Sequence, residues 1–312
     1  VHNCGEVLLD DKGLCNLTTI NVTAFVKDGD LDLDELLKAQ KLSVRAGVRM
    51  TLLTLELPDW DKVQKRDRLV GCSLTGWQDM VGMTNMSMSE QRKVLVSLRR
   101  VAEDEAKRYA EVLGIDKPLL VTTVKPEGTI SQLPTVSSGV HFTHSKFYIR
   151  RVRISRDDAL CKVAEKLGWV IKPEVGQRLE DATTMVIEFP VKSESKVTKF
   201  DVGALEQLEI CKTFQKFYTQ HNSSNTISVR NGEWGACADW VYDNWDDVIG
   251  VTFLPLDEKT YELAPYESIS EEEYLSRKSV LKSFDFDLLC EEERLKDEYV
   301  PTEIIDKACE SG

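Results

Sequence analysis

The sequence predicts an α/β fold with parallel strands, and two observations carry that prediction. Short β-branched and apolar runs alternate with longer amphipathic stretches, most regularly between residues 184 and 254. The chain has 312 residues, 42% apolar and 30% charged, which is enough to bury a sizeable core under such layers.

The elements follow in order. Residues 6–9 and 16–22 read as short strands flanking a turn at 10–13, a hairpin-like pattern. Leu36, Leu37, Ala39, Val44, Val48, Leu52 and Leu55 recur at three- and four-residue steps, predicting one helix over 32–57 that Pro58 ends. Ser87 and Glu90 have capping-box spacing ahead of a helix with Val94, Leu98, Val101, Tyr109 and Val112 facing inward and Gly114 closing it. Residues 118–124 read as a short buried strand, broken at Lys125-Pro126-Glu127-Gly128. The alternation continues with strands at 184–189, 225–229 and 251–254, separated by helices at 204–218 and 234–245. A surface helix is expected at 270–281; from Glu291 the chain is acidic and weakly apolar, ending in a tail-like stretch at 307–312.

Charge excludes one large class of partner. Against 40 basic residues stand 53 acidic ones, a net charge of −13, and a surface this acidic repels a nucleic-acid polymer. A small anion held by local donors remains compatible. No apolar run approaches the roughly 20 residues that cross a bilayer, and no basic-then-apolar leader opens the sequence. The expectation is therefore a cytoplasmic protein with no membrane partner. Val1 is not a start residue and stands three places before Cys4, so the sequence reads as the later part of a longer protein.

Eight cysteines are scattered through the chain with no C-x-x-C pair, and the four histidines form no H-E-x-x-H, so no metal site is expected. Cys72, Cys161, Cys211, Cys237 and Cys290 read as reduced core thiols. Cys4, Cys15 and Cys309 have polar, small or flexible neighbours and stand apart.

Cys4 and Glu6 flank Gly5. In an extended segment their side chains point the same way, placing a thiol and a carboxylate in one pocket, a pairing suited to sulfur and general-base chemistry. The same pattern in isolation describes a buried loop cysteine beside a solvated glutamate. Cys15 lies eleven residues on, after a turn that can fold it back, and two thiols near one carboxylate suit dithiol redox chemistry. Glu127, Gly128, Thr129, Ile130 and Ser131 follow a buried strand. If a helix begins there, its free N–H groups and dipole form a phosphate cradle; otherwise the segment is an ordinary capped turn. His144 reads as a structural histidine, and Cys309, on a flexible tail, is suited to thiol exchange or to nothing.

Taken together, these segments resemble the adenosylcobalamin-dependent (class II) ribonucleotide reductases, especially the monomeric ribonucleoside-triphosphate reductases. The resemblance rests on Cys4-Gly5-Glu6, on Leu14 to Thr18, and on the run from Val124 to Gly139. It continues through Asn222-Ser223-Ser224-Asn225-Thr226, Asp243-Asn244-Trp245-Asp246 and Ala264-Pro265-Tyr266-Glu267.

The resemblance implies the second half of a ten-stranded α/β barrel over residues 1–285, with a finger loop at about 1–20 and a redox tail segment at 286–312. It implies that Cys4 carries a thiyl radical generated through adenosylcobalamin, which abstracts the substrate's 3′ hydrogen. Glu6 takes the 3′ hydroxyl proton, the 2′ hydroxyl leaves as water, and Cys15 with a partner cysteine becomes a disulfide. Residues 127–131 hold the substrate's phosphates. Cys309 is the first of two tail cysteines that reduce that disulfide before thioredoxin reduces the tail.

The sequence departs from the family where Asn-Pro-Cys-Gly-Glu is usual: here His2 and Asn3 precede Cys4. The portion preceding the finger loop would supply the partner of Cys15, the rest of the barrel and the dNTP effector site, so this chain alone is expected to be inactive. Two other readings are a class I large-subunit fragment and a non-catalytic partner of a reductase. The Tyr-Tyr pair of the former and the glycyl-radical motif of class III are absent.

Overall fold

The computed structural model describes residues 4–256 and 261–298. Along the chain run β1 (Asn16–Asn21), the short pair β2 (Val26–Lys27) and β3 (Asp30–Leu31), α1 (Leu33–Met50), α2 (Pro58–Asp67) and β4 (Val70–Thr75). Then come α3 (Trp77–Thr84), α4 (Met88–Leu113), β5 (Phe147–Ser155), α5 (Ala159–Leu167), β6 (Ile171–Pro173), β7 (Thr184–Lys192) and α6 (Ala204–Phe217). The last are β8 (Thr226–Val229), α7 (Trp234–Asp243), β9 (Thr252–Pro255), β10 (Tyr266–Ser268), α8 (Glu271–Val280) and α9 (Phe286–Glu298). The described residues form two compact units, one from 4–146 and 193–256, the other from 147–192 and 261–298. This division differs from the expected boundary at 285.

In the first unit the expected parallel α/β pattern is present. β1 pairs in parallel with the fully buried β4, Asn16 opposite Val70 through Asn21 opposite Thr75, and a crossover containing α1 and α2 joins them. The parallel pattern continues through single bridges from Cys72 to Thr122 and from Val124 to Ser223, and β8 pairs in parallel with β9. Residues 118–124 thus bridge neighbours at isolated points instead of forming a regular strand. The expected hairpin is not there either. Residues 6–9 are not a strand, although Gly13 N–H closes the turn on Asp10 O at 3.0 Å. β4 had been hidden because Gly71, Ser73 and Thr75 interrupt its apolar pattern.

The long helix expected over 32–57 stops at Met50, and Pro58 opens α2 instead of ending α1. At the first helical position proline's missing N–H leaves no bond unmade. α4 has the expected capping box, Ser87 with Glu90, and Gly114 closes it at φ +66°. Its buried stripe drifts through Val94, Leu95, Leu98, Ala102, Ala106 and Ala110, which leaves Val112 exposed, contrary to expectation. Inside, Trp77 meets Phe214 edge to face at 5.0 Å, and Tyr218 donates its hydroxyl to Cys72 O at 3.0 Å.

The second unit is an antiparallel sheet in the order β10-β5-β7-β6, so the strand expected at 184–189 is not parallel. β5 was not visible in the sequence because Arg150, Arg151 and Arg153 fill half of its apolar pattern. Arg151 is buried nonetheless: its Nε donates to Glu188 at 2.8 Å and its NH2 to Glu267. Lys172 and Arg277 reach the same Glu188 carboxylate at 3.0 and 2.9 Å. The acidic stretch near Glu291 lies on α9, where Glu292 pairs with Lys166 at 2.6 Å.

Candidate active site

Of the residues singled out in the sequence, His2, Asn3 and Cys309 lie outside the described residues. Cys4, Glu6 and Cys15 are described, and all belong to the first unit. Gly5 has φ +74°, so the Cys4–Glu6 segment is bent and the two side chains do not share a face as an extended chain would require. Cys4 is exposed, whereas Glu6 is 1% exposed. That is the reverse of a buried cysteine beside a solvated glutamate.

Neutral side chains capture the backbone of this bend. Ser224 Oγ donates to Cys4 O at 2.5 Å, and Asn222 Nδ2 donates to Gly5 O at 2.7 Å. Glu6 O accepts from both the Asn222 N–H at 3.0 Å and Thr123 Oγ1 at 2.8 Å. Each donor stands beside one of the isolated parallel bridges, at Thr122, Val124 or Ser223. Cys4 and Gly5 line a cleft of about 250 Å³ with Asn222, Ser224, Asn225 and Gly250. This is slightly below the usual ~300–1,000 Å³ of a small-molecule site, so the cleft alone is part of a site.

Cys15 lies behind the bend, half-buried, with Sγ 3.9 Å from His221 Nε2. Burial pushes its thiol up to about 12, with the nearby Cys72 and Glu6 adding to the effect. The turn therefore brings Cys15 within electrostatic reach of Glu6, as the eleven-residue spacing suggested. Close packing here requires Gly71: a Cβ at that position would overlap Leu17 Cδ2 and stand 2.9 Å from Thr123 Cγ2 and 3.3 Å from Cys15 Sγ.

The loop expected to hold phosphates divides. Gly128, Thr129 and Ile130 are exposed, while Glu127 and Ser131 are buried. Glu127, at φ +60°, turns its carboxylate inward, accepting from Thr19 Oγ1 at 2.9 Å with Lys125 Nζ at 3.6 Å. No α-helix follows, only a 3-10 turn at Ile130–Gln132, so the helix dipole considered for a phosphate cradle is not available. The neighbouring loop packs tightly on this one: a Cβ on Gly139 would lie 2.7 Å from Lys125 O. Asp79 fixes that second loop by accepting the Ser137 N–H at 2.6 Å, and burial raises its carboxyl above the ordinary range. His141 ties it to β8, its Nδ1 on Ser138 O at 2.9 Å and its Nε2 accepting the Thr226 N–H at 3.0 Å. His144 is a structural histidine, edge-on to Phe200 and held down to about 4 by burial and by Lys199.

Thr123, His221, Asn222 and Ser224 surround the candidate site, and sequence reasoning gave them no role. The signal was present in part, since Asn222 to Thr226 is a polar run leading directly into a strand. Cys72, Cys161, Cys211 and Cys237 are buried as expected, and Cys290 is half-buried. Among the described residues no three His, Cys, Asp or Glu side chains stand close enough to hold a metal ion, and no helix is long and apolar enough to cross a membrane.

The fold is similar to that of two solved ribonucleotide reductases. It matches a solved B12-dependent (class II) ribonucleotide reductase with a TM-score of 0.79 at 20% identity, over 92% of this chain and 43% of that one. An Actinobacillus ureae class Id ribonucleotide reductase alpha subunit aligns with a TM-score of 0.51 at 14% identity, over 81% and 52%. No family model matches.

The curated homologues are more specific. A Dictyostelium discoideum protein named "Probable adenosylcobalamin-dependent ribonucleoside-triphosphate reductase" is 28% identical over 92% of this chain and 37% of its own length. The adenosylcobalamin-dependent ribonucleoside-triphosphate reductase of Lactobacillus gasseri is 27% identical over 87% of this chain and 39% of its own length. That of Euglena gracilis is 28% identical over 72% and 31%. The chain is thus similar along most of its length to this group and spans less than half the length of each of these relatives.

Proposed function

We propose that this chain is the catalytic C-terminal portion of an adenosylcobalamin-dependent ribonucleoside-triphosphate reductase, acting with a preceding portion that completes the site. The observation that carries the proposal is the arrangement around the Gly5 bend. An exposed thiol faces an open cleft, and a buried carboxylate and a second thiol lie behind it.

That arrangement suits radical chemistry on a nucleotide. A thiol that gives and takes a hydrogen atom must be reachable from the cleft and held still, and Ser224 and Asn222 hold the Cys4 loop by its carbonyls. Cys4, whose thiol is exposed at the cleft, is the residue of this chain that would be oxidised to the thiyl. The cleft itself is too small for a corrin, and no residue here is assigned to binding one. When bound, adenosylcobalamin supplies the initiating radical by homolysis of its cobalt–carbon bond.

The remaining roles belong to the protein's own residues. The Cys4 thiyl takes the 3′ hydrogen, and Glu6, which lies buried behind the bend in this chain, accepts the 3′ hydroxyl proton in the site that the preceding portion completes. The Cys15 thiol, with a cysteine from the preceding portion, supplies two electrons and becomes a disulfide. Tail cysteines including Cys309, and then thioredoxin, return those electrons. The exposed residues 128–130 contact the substrate's phosphates, and a dNTP effector acts through the preceding portion.

The test is Cys4→Ser in the assembled enzyme with adenosylcobalamin, a ribonucleoside triphosphate and a dithiol reductant. Deoxyribonucleotide formation falls below detection if Cys4 carries the radical; unchanged turnover overturns the assignment and favours a non-catalytic partner.

A further inference from the structure

His221 lies against Cys15 and has no part in the reading above. It is 4% exposed, and its backbone is pinned on both sides: its N–H donates to Thr122 O at 3.1 Å and its C=O accepts from Gln215 Nε2 at 3.0 Å. Its Nε2 stands 3.0 Å from Val70 O and 3.9 Å from Cys15 Sγ. A carbonyl oxygen only accepts, so Nε2 carries the proton. Burial holds the imidazole below its ordinary value, against the opposing pull of the Val70 bond and the Glu6 charge, so the ring is neutral at physiological pH. Nδ1 then carries a lone pair, buried without a hydrogen-bond partner among the described residues. A histidine kept only for packing has both nitrogens satisfied in most folds. This one gives its single N–H to Val70 O from a nitrogen that also lies 3.9 Å from Cys15 Sγ.

We propose that His221 is the hydrogen-bond donor to the Cys15 thiolate: its Nε2–H, bonded at rest to Val70 O, turns its hydrogen bond to the Cys15 sulfur when that sulfur becomes an anion. The proposal rests on Cys15 being one half of a redox pair. In the reducing step an incoming thiolate, from a dithiol donor, attacks the partner sulfur of the Cys15 disulfide. One S–S bond forms as the other breaks, and the electron pair leaves on Cys15 Sγ. That thiolate accepts the Nε2–H hydrogen bond and later takes a proton from water. The donor's second thiol closes its own disulfide, so two electrons enter and one disulfide is exchanged for another.

The site needs such a donor. The titratable groups facing the sulfur are Glu6 from the N-terminal bend, Cys72 from β4 and His221 from the loop before β8. Burial opposes a developing anion, and the Glu6 carboxylate repels it; Cys72, itself pushed up to about 11, remains a neutral thiol. A thiol departs faster as the acidity of its conjugate thiol rises, so a single N–H in a dry pocket sets the exchange rate.

The experiment is site-resolved alkylation of Cys15 by iodoacetamide in this 312-residue chain, read by peptide mass spectrometry between about pH 7 and pH 10. In His221→Phe, which keeps a ring and removes the donor, Cys15 reacts about threefold more slowly at each pH, because a rise of about one pKa unit from a lost hydrogen bond to an anion cuts the thiolate about tenfold and makes it about threefold more nucleophilic. His221→Gln, which can still donate, recovers most of that rate, and Cys290 in the other unit reacts at an unchanged rate throughout. A Phe variant as fast as the parent overturns the proposal, as does a slow Phe variant that Gln does not rescue. If the Phe variant fails to fold, the ring 15N spectrum of the parent decides: an Nε2–H neutral tautomer supports the donor and an Nδ1–H tautomer overturns it. None of these readouts uses nucleotide turnover, so their failure is distinct from a failure of the reductase reading under Cys4→Ser.

Discussion

The two units solve the burial of polar groups in opposite ways. Around Cys4, Glu6 and Cys15 the first unit uses neutral donors, Thr123, Asn222 and Ser224, to capture backbone carbonyls. The Cys15 thiol stays protonated at rest because burial opposes its anion. The second unit buries a charge network instead, with Arg151, Lys172 and Arg277 converging on Glu188. Burial pushes the Glu188 carboxyl up, but the bonds from Lys172 and Arg151 outweigh it and hold the group below its ordinary value. The contrast shows that desolvation has no fixed consequence. It raises or fails to raise a pKa according to what else points at the buried atom.

Breaking the charge network is expected to have the largest effect. Arg151→Ala costs the second unit about 3 kcal/mol, the low end for a broken buried pair because Lys172 and Arg277 still hold Glu188. Trp169, the tryptophan of that unit, reports the transition in urea by fluorescence. An equal shift in the first unit's transition breaks the comparison. Acid probes the same network. The Glu188 carboxyl is depressed, so its stabilisation is fully present above about pH 4.5, its ordinary value, and is lost as pH falls through the lower folded-state value. The Trp169 transition therefore weakens below that point in the parent and changes less with pH in Arg151→Ala.

Gly71→Ala sharpens the other side. The added methyl overlaps Leu17 and crowds Thr123 and Cys15, an overpacking of about 1–3 kcal/mol confined to the first unit. A melting temperature equal to the parent's contradicts the tight packing behind the bend. The smallest effect is local. Ser87→Ala removes the α4 cap and costs about 1 kcal/mol by the same melt. A loss several times larger means that the cap carries tertiary as well as helical stability.

Legibility followed the range of the forces involved. The α4 cap was visible because Ser87 and Glu90 satisfy each other within one turn. β5 was not, since its buried Arg151 is tolerable in a strand only because Glu188 and Glu267 come from elsewhere in the chain. The sequence showed Cys4, Glu6 and Cys15 as a set and missed how they face. One left-handed glycine turns Glu6 inward and leaves Cys4 outside, and an alternation rule for extended chains has no access to that dihedral. His221 was beyond reach from sequence, standing 206 residues from the sulfur it touches.

By itself, the amino-acid order determined the parallel α/β pattern of the first unit, the capped long helix and the identity of the thiols and the carboxylate. These depend on periodicity, local capping and residue chemistry, all written within short windows. Tertiary structure alone decided that the second unit is antiparallel, that Glu127 turns inward and that His221 faces Cys15. Each of those depends on a partner distant in sequence and on the water that folding removes from between them.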